Sequence, residues 1–166
     1  MKKIMMAIVL AGIFACSNAQ KSEFSKESLS QPLATLSDAS SNLSEILKKH
    51  NGKTTVIEIW ASWCGDCVKA MPKLKDLQQK HPEVDYVFIS MDKAKDKWEN
   101  GIAKHELKGD HYWATDGMKG KFGQSIDLDW IPRYIIVDKK GKIATYRAIE
   151  TDFESMDKTL NQLKSK

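Results

Sequence analysis

Cys64 and Cys67, separated by Gly65 and Asp66, are the residues of this chain whose type and spacing can do chemistry. A pair this close cannot staple a long loop, and in an oxidising compartment a lone C-x-x-C points to thiol–disulfide exchange. That reaction needs a thiolate whose pKa is drawn towards ambient pH, and a second thiol able to resolve the mixed disulfide. The first turn of a helix supplies both. Its free N–H groups and dipole stabilise the anion, and two intervening residues let the second thiol attack from the same turn. Cys64 is the expected attacking thiol and Cys67 the resolving one. The exchange requires no cofactor. Structural zinc normally takes four Cys/His ligands. There is no second C-x-x-C, and His50, His81, His105 and His111 show no ligand spacing with the pair, so no metal is expected.

Such a pair must be delivered by a strand and carried by a helix. Residues 54–61 (Thr-Thr-Val-Ile-Glu-Ile-Trp-Ala) are β-branched and apolar enough for a central strand and run straight into the motif. Residues 67–80 follow as a helix with Met71, Leu74 and Leu77 on one face, and Pro72 inside it predicts a kink. Upstream, residues 38–50 carry Leu43, Ile46 and Leu47 at helical spacing before an Asn51-Gly52 stop. Downstream, 84–91 reads as a second buried strand and 94–105 as a helix bearing Trp98 and Ile102. The stretch 107–129 is broken by glycines, with a short helix near 119–124. Residues 133–138 and 142–147 form two strands joined by a Lys139-Lys140-Gly141 turn. Residues 152–164 close as a helix with Phe153, Met156, Leu160 and Leu163 on one face. The order is β-α-β-α, an irregular insert, then β-β-α. This describes one α/β domain over 37–166.

The beginning of the chain reads differently. Lys2 and Lys3 precede an apolar run from Ile4 to Ala15, followed by small and polar residues, the pattern of a signal peptide over 1–19. Ser17-Asn18-Ala19 suits ordinary cleavage. Ile13-Phe14-Ala15-Cys16 resembles a lipobox with a bulky Phe14, so a lipid anchor at Cys16 is the alternative. The expected location is periplasmic, soluble or anchored. Residues 20–36, rich in Ser, Lys, Gln and Glu, read as a flexible leader. Removing 1–19 deletes two lysines and no acids, which leaves 24 basic against 22 acidic residues and a net charge of +2. That balance gives no argument for nucleic acid as a partner.

The run 56–67 (Val-Ile-Glu-Ile-Trp-Ala-Ser-Trp-Cys-Gly-Asp-Cys) resembles the active-site strand and turn of the thioredoxin superfamily. The run 130–143 (Trp-Ile-Pro-Arg-Tyr-Ile-Ile-Val-Asp-Lys-Lys-Gly-Lys-Ile) is similar to its cis-proline segment and final hairpin. The likeness covers residues 36–164, and the leader and insert resemble the exported TlpA/ResA-like branch. The resemblance implies a thioredoxin-like fold, a central mixed β-sheet flanked by helices with an insert before the cis-proline strand. It implies a cis peptide before Pro132, with the Ile131 backbone pairing with a substrate strand, and Trp63 as an apolar lip around the sulfur. Glu58 would be the buried acid that accepts the Cys67 proton. Two departures stand out. Asp66 replaces the proline of thioredoxin and should tilt the pair towards reducing character. Ala70 stands where some relatives carry a pKa-tuning glutamate, so a proton relay would rest on Glu58.

The leading expectation is a disulfide reductase acting on protein disulfides and recharged by a membrane-bound thiol donor. An oxidase or isomerase would use the same site. A peroxiredoxin-like peroxidase needs a Pro-x-x-x-Thr-x-x-Cys setting that nothing before Cys64 provides. A non-catalytic binding module would leave two cysteines, Trp63 and Pro132 without a purpose.

Overall fold

The computed structural model describes residues 21–165. The expected signal peptide, its cleavage site and Cys16 lie outside the described residues. In chain order the elements are α1 (Lys26–Ser30), β1 (Pro32–Thr35), β2 (Ser40–Asn42), α2 (Leu43–Lys49), β3 (Thr55–Trp60), α3 (Gly65–Lys80) and β4 (Asp85–Ser90). There follow α4 (Lys95–His105), β5 (Asp110–Trp113), α5 (Lys121–Ser125), β6 (Arg133–Val137), β7 (Ile143–Ala148) and α6 (Phe153–Lys164). The strands form one mixed sheet in the order β2-β1-β5-β4-β3-β6-β7.

β3, β4 and β5 run parallel at the centre, while β6 lies antiparallel to β3 with Glu58 opposite Tyr134 and Ile59 opposite Arg133. Every residue of β3 and β6 is buried, as expected of strands covered on both faces, and their near-continuous apolar composition follows from that position. The β6–β7 turn forms as the sequence predicts. Gly141 takes φ +80°, and the Asp138 carboxylate accepts from the amides of Lys140 and Lys142 at 2.9 and 2.8 Å. The register then shifts twice between β6 and β7, which makes β7 an irregular edge. The Ile143 amide donates to the carbonyl of Ser22 at 2.9 Å, so the start of the described chain lies against that edge.

Three expectations change. Residues 26–35 are not part of a flexible leader: they build α1 and β1, with Ser28 and Leu33 buried. The Ser25 side chain caps α1, accepting from the amide of Ser28 at 3.1 Å. The helix expected from 38 begins only at Leu43. Asp38 sits at φ +62° in the β1–β2 turn, and the Asn42 side chain caps α2 through the amide of Glu45 at 2.9 Å. The insert contains a strand, β5, whose Tyr112 and Trp113 pair with Ile89 and Ser90. Trp98 and Tyr112 are buried there, and the Trp98 and Trp113 rings pack at 5.9 Å. The insert therefore extends the sheet and its core. α3 runs through Pro72 as one helix, with the Val68 carbonyl losing the N–H that a non-proline residue would offer. Among the described residues no helix is long and apolar enough to cross a membrane.

Leu33 joins the core cluster with Leu43 and Ile46. Leu33→Ala is expected to cost about 2–5 kcal/mol by urea denaturation, the range for a buried leucine in a packed core. A variant as stable as the parent would return this segment to the status of a leader.

Candidate active site

β3 ends at Trp60, and the chain turns through Ala61, Ser62 and Trp63 before α3 starts at Gly65. Cys64 is the N-cap of α3, with extended backbone (φ −81°, ψ 107°), and its sulfur accepts from the Cys67 amide at 3.1 Å. A helix's first turn has amides without intrahelical partners, and here one of them is aimed at the sulfur. Cys64 and Cys67 are joined as a disulfide with Cα atoms 5.3 Å apart. Cys67 is fully buried, whereas Cys64 keeps 6% of its surface in water. The outer sulfur is thus the one a partner can reach.

A second segment closes on that sulfur. The carbonyl oxygen of Ile131 lies 3.5 Å from Cys64 Sγ, and the Ile131–Pro132 peptide is cis. Ile131 and Pro132 are buried, while Trp63 and Trp130 on either side of the approach stay exposed at 56% and 50%. Asp66 occupies the first turn of α3 and pairs loosely with Lys69 at 3.5 Å.

Glu58 lies within β3 at 2% exposure, between Phe88 of β4 and Tyr134 of β6. Burial pushes its carboxyl up to about 8, and a hydrogen bond from the Tyr134 hydroxyl to Oε1 (3.3 Å) opposes that shift. Oε2 has no hydrogen-bond partner. Of the residues singled out in the sequence, Cys64, Cys67, Ile131 and Pro132 meet directly. Glu58 is buried in the strand behind them and bonded to Tyr134, and Trp63 stands at the rim.

Sequence reasoning did not find the parts that hold the two segments still. The fully buried Asp92 accepts from the Ser62 amide (3.0 Å), the Ser62 hydroxyl (2.7 Å) and the Ser90 hydroxyl (2.7 Å). Gly101 of α4 comes so close to this loop that a Cβ there would meet Ser62 Cβ at 2.8 Å. On the other segment, the Asp129 carboxylate pairs with Arg133 and with Arg147, and Arg133 is buried immediately after the cis-proline. A polar Ser90-x-Asp92 at the end of an apolar strand was the available signal for the first brace. For the second, it was an arginine inside an apolar run.

A family model described as thioredoxin-like matches residues 51–143. The chain belongs to the thioredoxin-like family. This thioredoxin-like chain is 24% identical over 149 residues to the thiol–disulfide oxidoreductase ResA of Bacillus cereus, covering 89% of this chain and 82% of that one. It is 22% identical to the thiol–disulfide oxidoreductase YkuV of Bacillus subtilis, over 67% of this chain and 77% of the relative. Among solved structures, a Bacteroides vulgatus protein described as a thiol–disulfide oxidoreductase is 29% identical with a TM-score of 0.64, covering 81% of this chain and 87% of that one. The fold is also that of a Chlorobium tepidum DsbE structure at TM-score 0.67 and 18% identity. The thioredoxin-like chain is a thiol–disulfide oxidoreductase of the ResA-like branch.

The raised carboxyl makes a stability prediction. A Glu whose folded pKa is about 8, against an ordinary value near ~4.3 in the unfolded chain, binds its proton more tightly when folded. Stability from this group is therefore complete below the unfolded value and is lost as pH rises through about 8. In the oxidised protein, the urea midpoint of Glu58→Gln should overtake that of the wild type as pH climbs from 5 to 9. The difference grows by on the order of several kcal/mol. Parallel pH profiles for the two proteins would show that Glu58 does not titrate in this range.

Proposed function

We propose that this protein is an exported reductase of protein disulfides, with Cys64 attacking and Cys67 resolving. The observation that carries the reading is the position of Cys64. Its sulfur is the accessible one of the pair, it caps α3, it receives the Cys67 amide, and it faces the Ile131 carbonyl. Export rests on the signal-like residues 1–19. An extended client segment would pair with the Ile131 backbone beside the sulfur, and Trp63 would cover the apolar side of the entry.

The Cys64 thiolate attacks the client disulfide, and one client sulfur leaves as thiolate. Cys67 then gives its proton to the Glu58 carboxylate and attacks Cys64 Sγ, which releases the second client thiolate and closes the Cys64–Cys67 bond. Two electrons pass from the dithiol to the client, and water returns the protons. A membrane-bound thiol donor would recharge the pair.

Asp66 supports the reducing direction. A negative charge in the first turn of α3 opposes the anionic, reduced form that the helix terminus favours, and strong oxidants of this fold are strong because their reduced form is stabilised.

The deciding experiment equilibrates the mature protein with defined thiol/disulfide buffers and reads the reduction potential. A value near about −270 mV, or moderately above it, fits a reductase, whereas one approaching about −120 mV makes the protein an oxidase. Cys64→Ser should abolish reduction of a client disulfide, and Cys67→Ser should accumulate the mixed disulfide. Asp66→Asn should move the potential to less negative values, and an unchanged potential removes Asp66 from the argument.

A further inference from the structure

Glu58 is sealed from solvent, and a base sealed in this way needs a path for its proton. Its neighbour on the β4 side, Phe88, carries no group that can pass one. Its neighbour on the β6 side is Tyr134, whose hydroxyl already touches Oε1 at 3.3 Å. Burial and the Tyr134 hydroxyl are the two influences that act on Glu58 among the described residues.

Beyond Tyr134 stands a second carboxyl. Ala148 is paired with Tyr134 across β6 and β7, and the Phe153 ring of α6 meets the Tyr134 ring edge-on at 5.3 Å. Glu150 lies in the short segment between these two contacts. Its charge raises the Tyr134 phenol, as do burial and Glu58, so the phenol stays neutral at any working pH. One Glu150 oxygen, Oε2, is buried without a hydrogen-bond partner, while the residue as a whole is partly exposed. A neutral hydroxyl accepts and donates at once and can hand a proton along without storing charge.

We propose that Tyr134 and Glu150 form the route by which Glu58 exchanges its proton with water during resolution of the mixed disulfide. The inference rests on the reading of Glu58 as the base for Cys67. Once Glu58 has taken the Cys67 proton, its carboxyl donates to the Tyr134 oxygen, and the hydroxyl turns its own proton towards Glu150. Glu150 passes that proton to water. The electron pair of the broken bond leaves on the client sulfur, which takes its proton from the solvent, and Glu58 returns to the carboxylate form. Tyr134 and Glu150 act as positioning residues, since neither touches the reacting sulfurs.

The test follows a single turnover of the reduced protein with a peptide disulfide, trapping the mixed disulfide by acid quench. Alkylation of Cys64 by iodoacetamide monitors the first thiol separately. Tyr134→Phe and Glu150→Gln should leave alkylation unchanged and slow decay of the mixed disulfide at least roughly tenfold, less than the ~100-fold or more that loss of a general base costs. Added imidazole should restore the rate in both variants, and their solvent isotope effect should exceed that of the wild type. A purely structural role for either residue would not respond to imidazole. Wild-type decay in both variants together with slow decay in Glu58→Gln overturns the route and leaves the base in place. Wild-type decay in Glu58→Gln overturns the base itself. Slowing in Tyr134→Phe alone overturns the exit through Glu150. If Tyr134→Phe does not fold, Glu150→Gln at its partly exposed position carries the test.

Discussion

The carbonyl of Ile131 and the sulfur of Cys64 lie 3.5 Å apart across 67 residues of chain. Neither segment could hold that approach alone. β3 delivers the cysteine, β6 departs from the proline, and the two strands are hydrogen-bonded neighbours with Ile59 opposite Arg133. The pairing places the end of one strand beside the beginning of the other and so sets the reacting sulfur next to a fixed carbonyl. A slip of one residue would turn every side chain of β6 to the wrong face, including Tyr134 opposite Glu58. The continuous burial of both strands enforces the register.

Around that pairing, polar groups do the local holding. Asp92 gathers Ser62 and Ser90 below the cysteine loop, and Asp129 is drawn by Arg133 and Arg147 at the proline segment. Buried acids with satisfied hydrogen bonds rigidify their surroundings. Glu58 is the contrast. With one oxygen unpaired, it keeps a proton affinity close to neutral pH, where a proton can come and go.

The chemistry was readable because it is local. A cysteine pair, the strand before it and the helix after it occupy one continuous stretch, and their types declare their structure. The cis-proline strand and the final hairpin were legible through their apolar runs and the Asp138–Gly141 turn. The residues that evaded sequence reading depend on distant partners. Residues 26–35 look polar, yet Leu33 finds its place only once Leu43 and Ile46 are assembled beside it. β5 is a short strand of mixed composition, and its pairing with Ile89 and Ser90 decides its conformation. The Asn42 cap was hidden by Asp38 and the serines around it, which offered a helix start four residues too early. Asp92, Arg133 and Tyr134 acquire their roles by contacts across the sheet that no spacing rule encodes.

The two borders of the sheet also bear on how this protein meets others. At one border β2 has three residues. At the other, β7 is out of step with β6, and the Ile143 amide is already taken by Ser22. Short, irregular or covered borders discourage the addition of foreign strands. An unfolded client is rich in extended segments seeking backbone partners, and a sheet with open borders would hold such segments in places where nothing happens to them. Here the flanks offer poor company, and the backbone at Ile131 lies beside the sulfur. Traffic is thereby directed to the reactive end of the molecule, and a client that leaves without reacting has little else on the sheet to hold it.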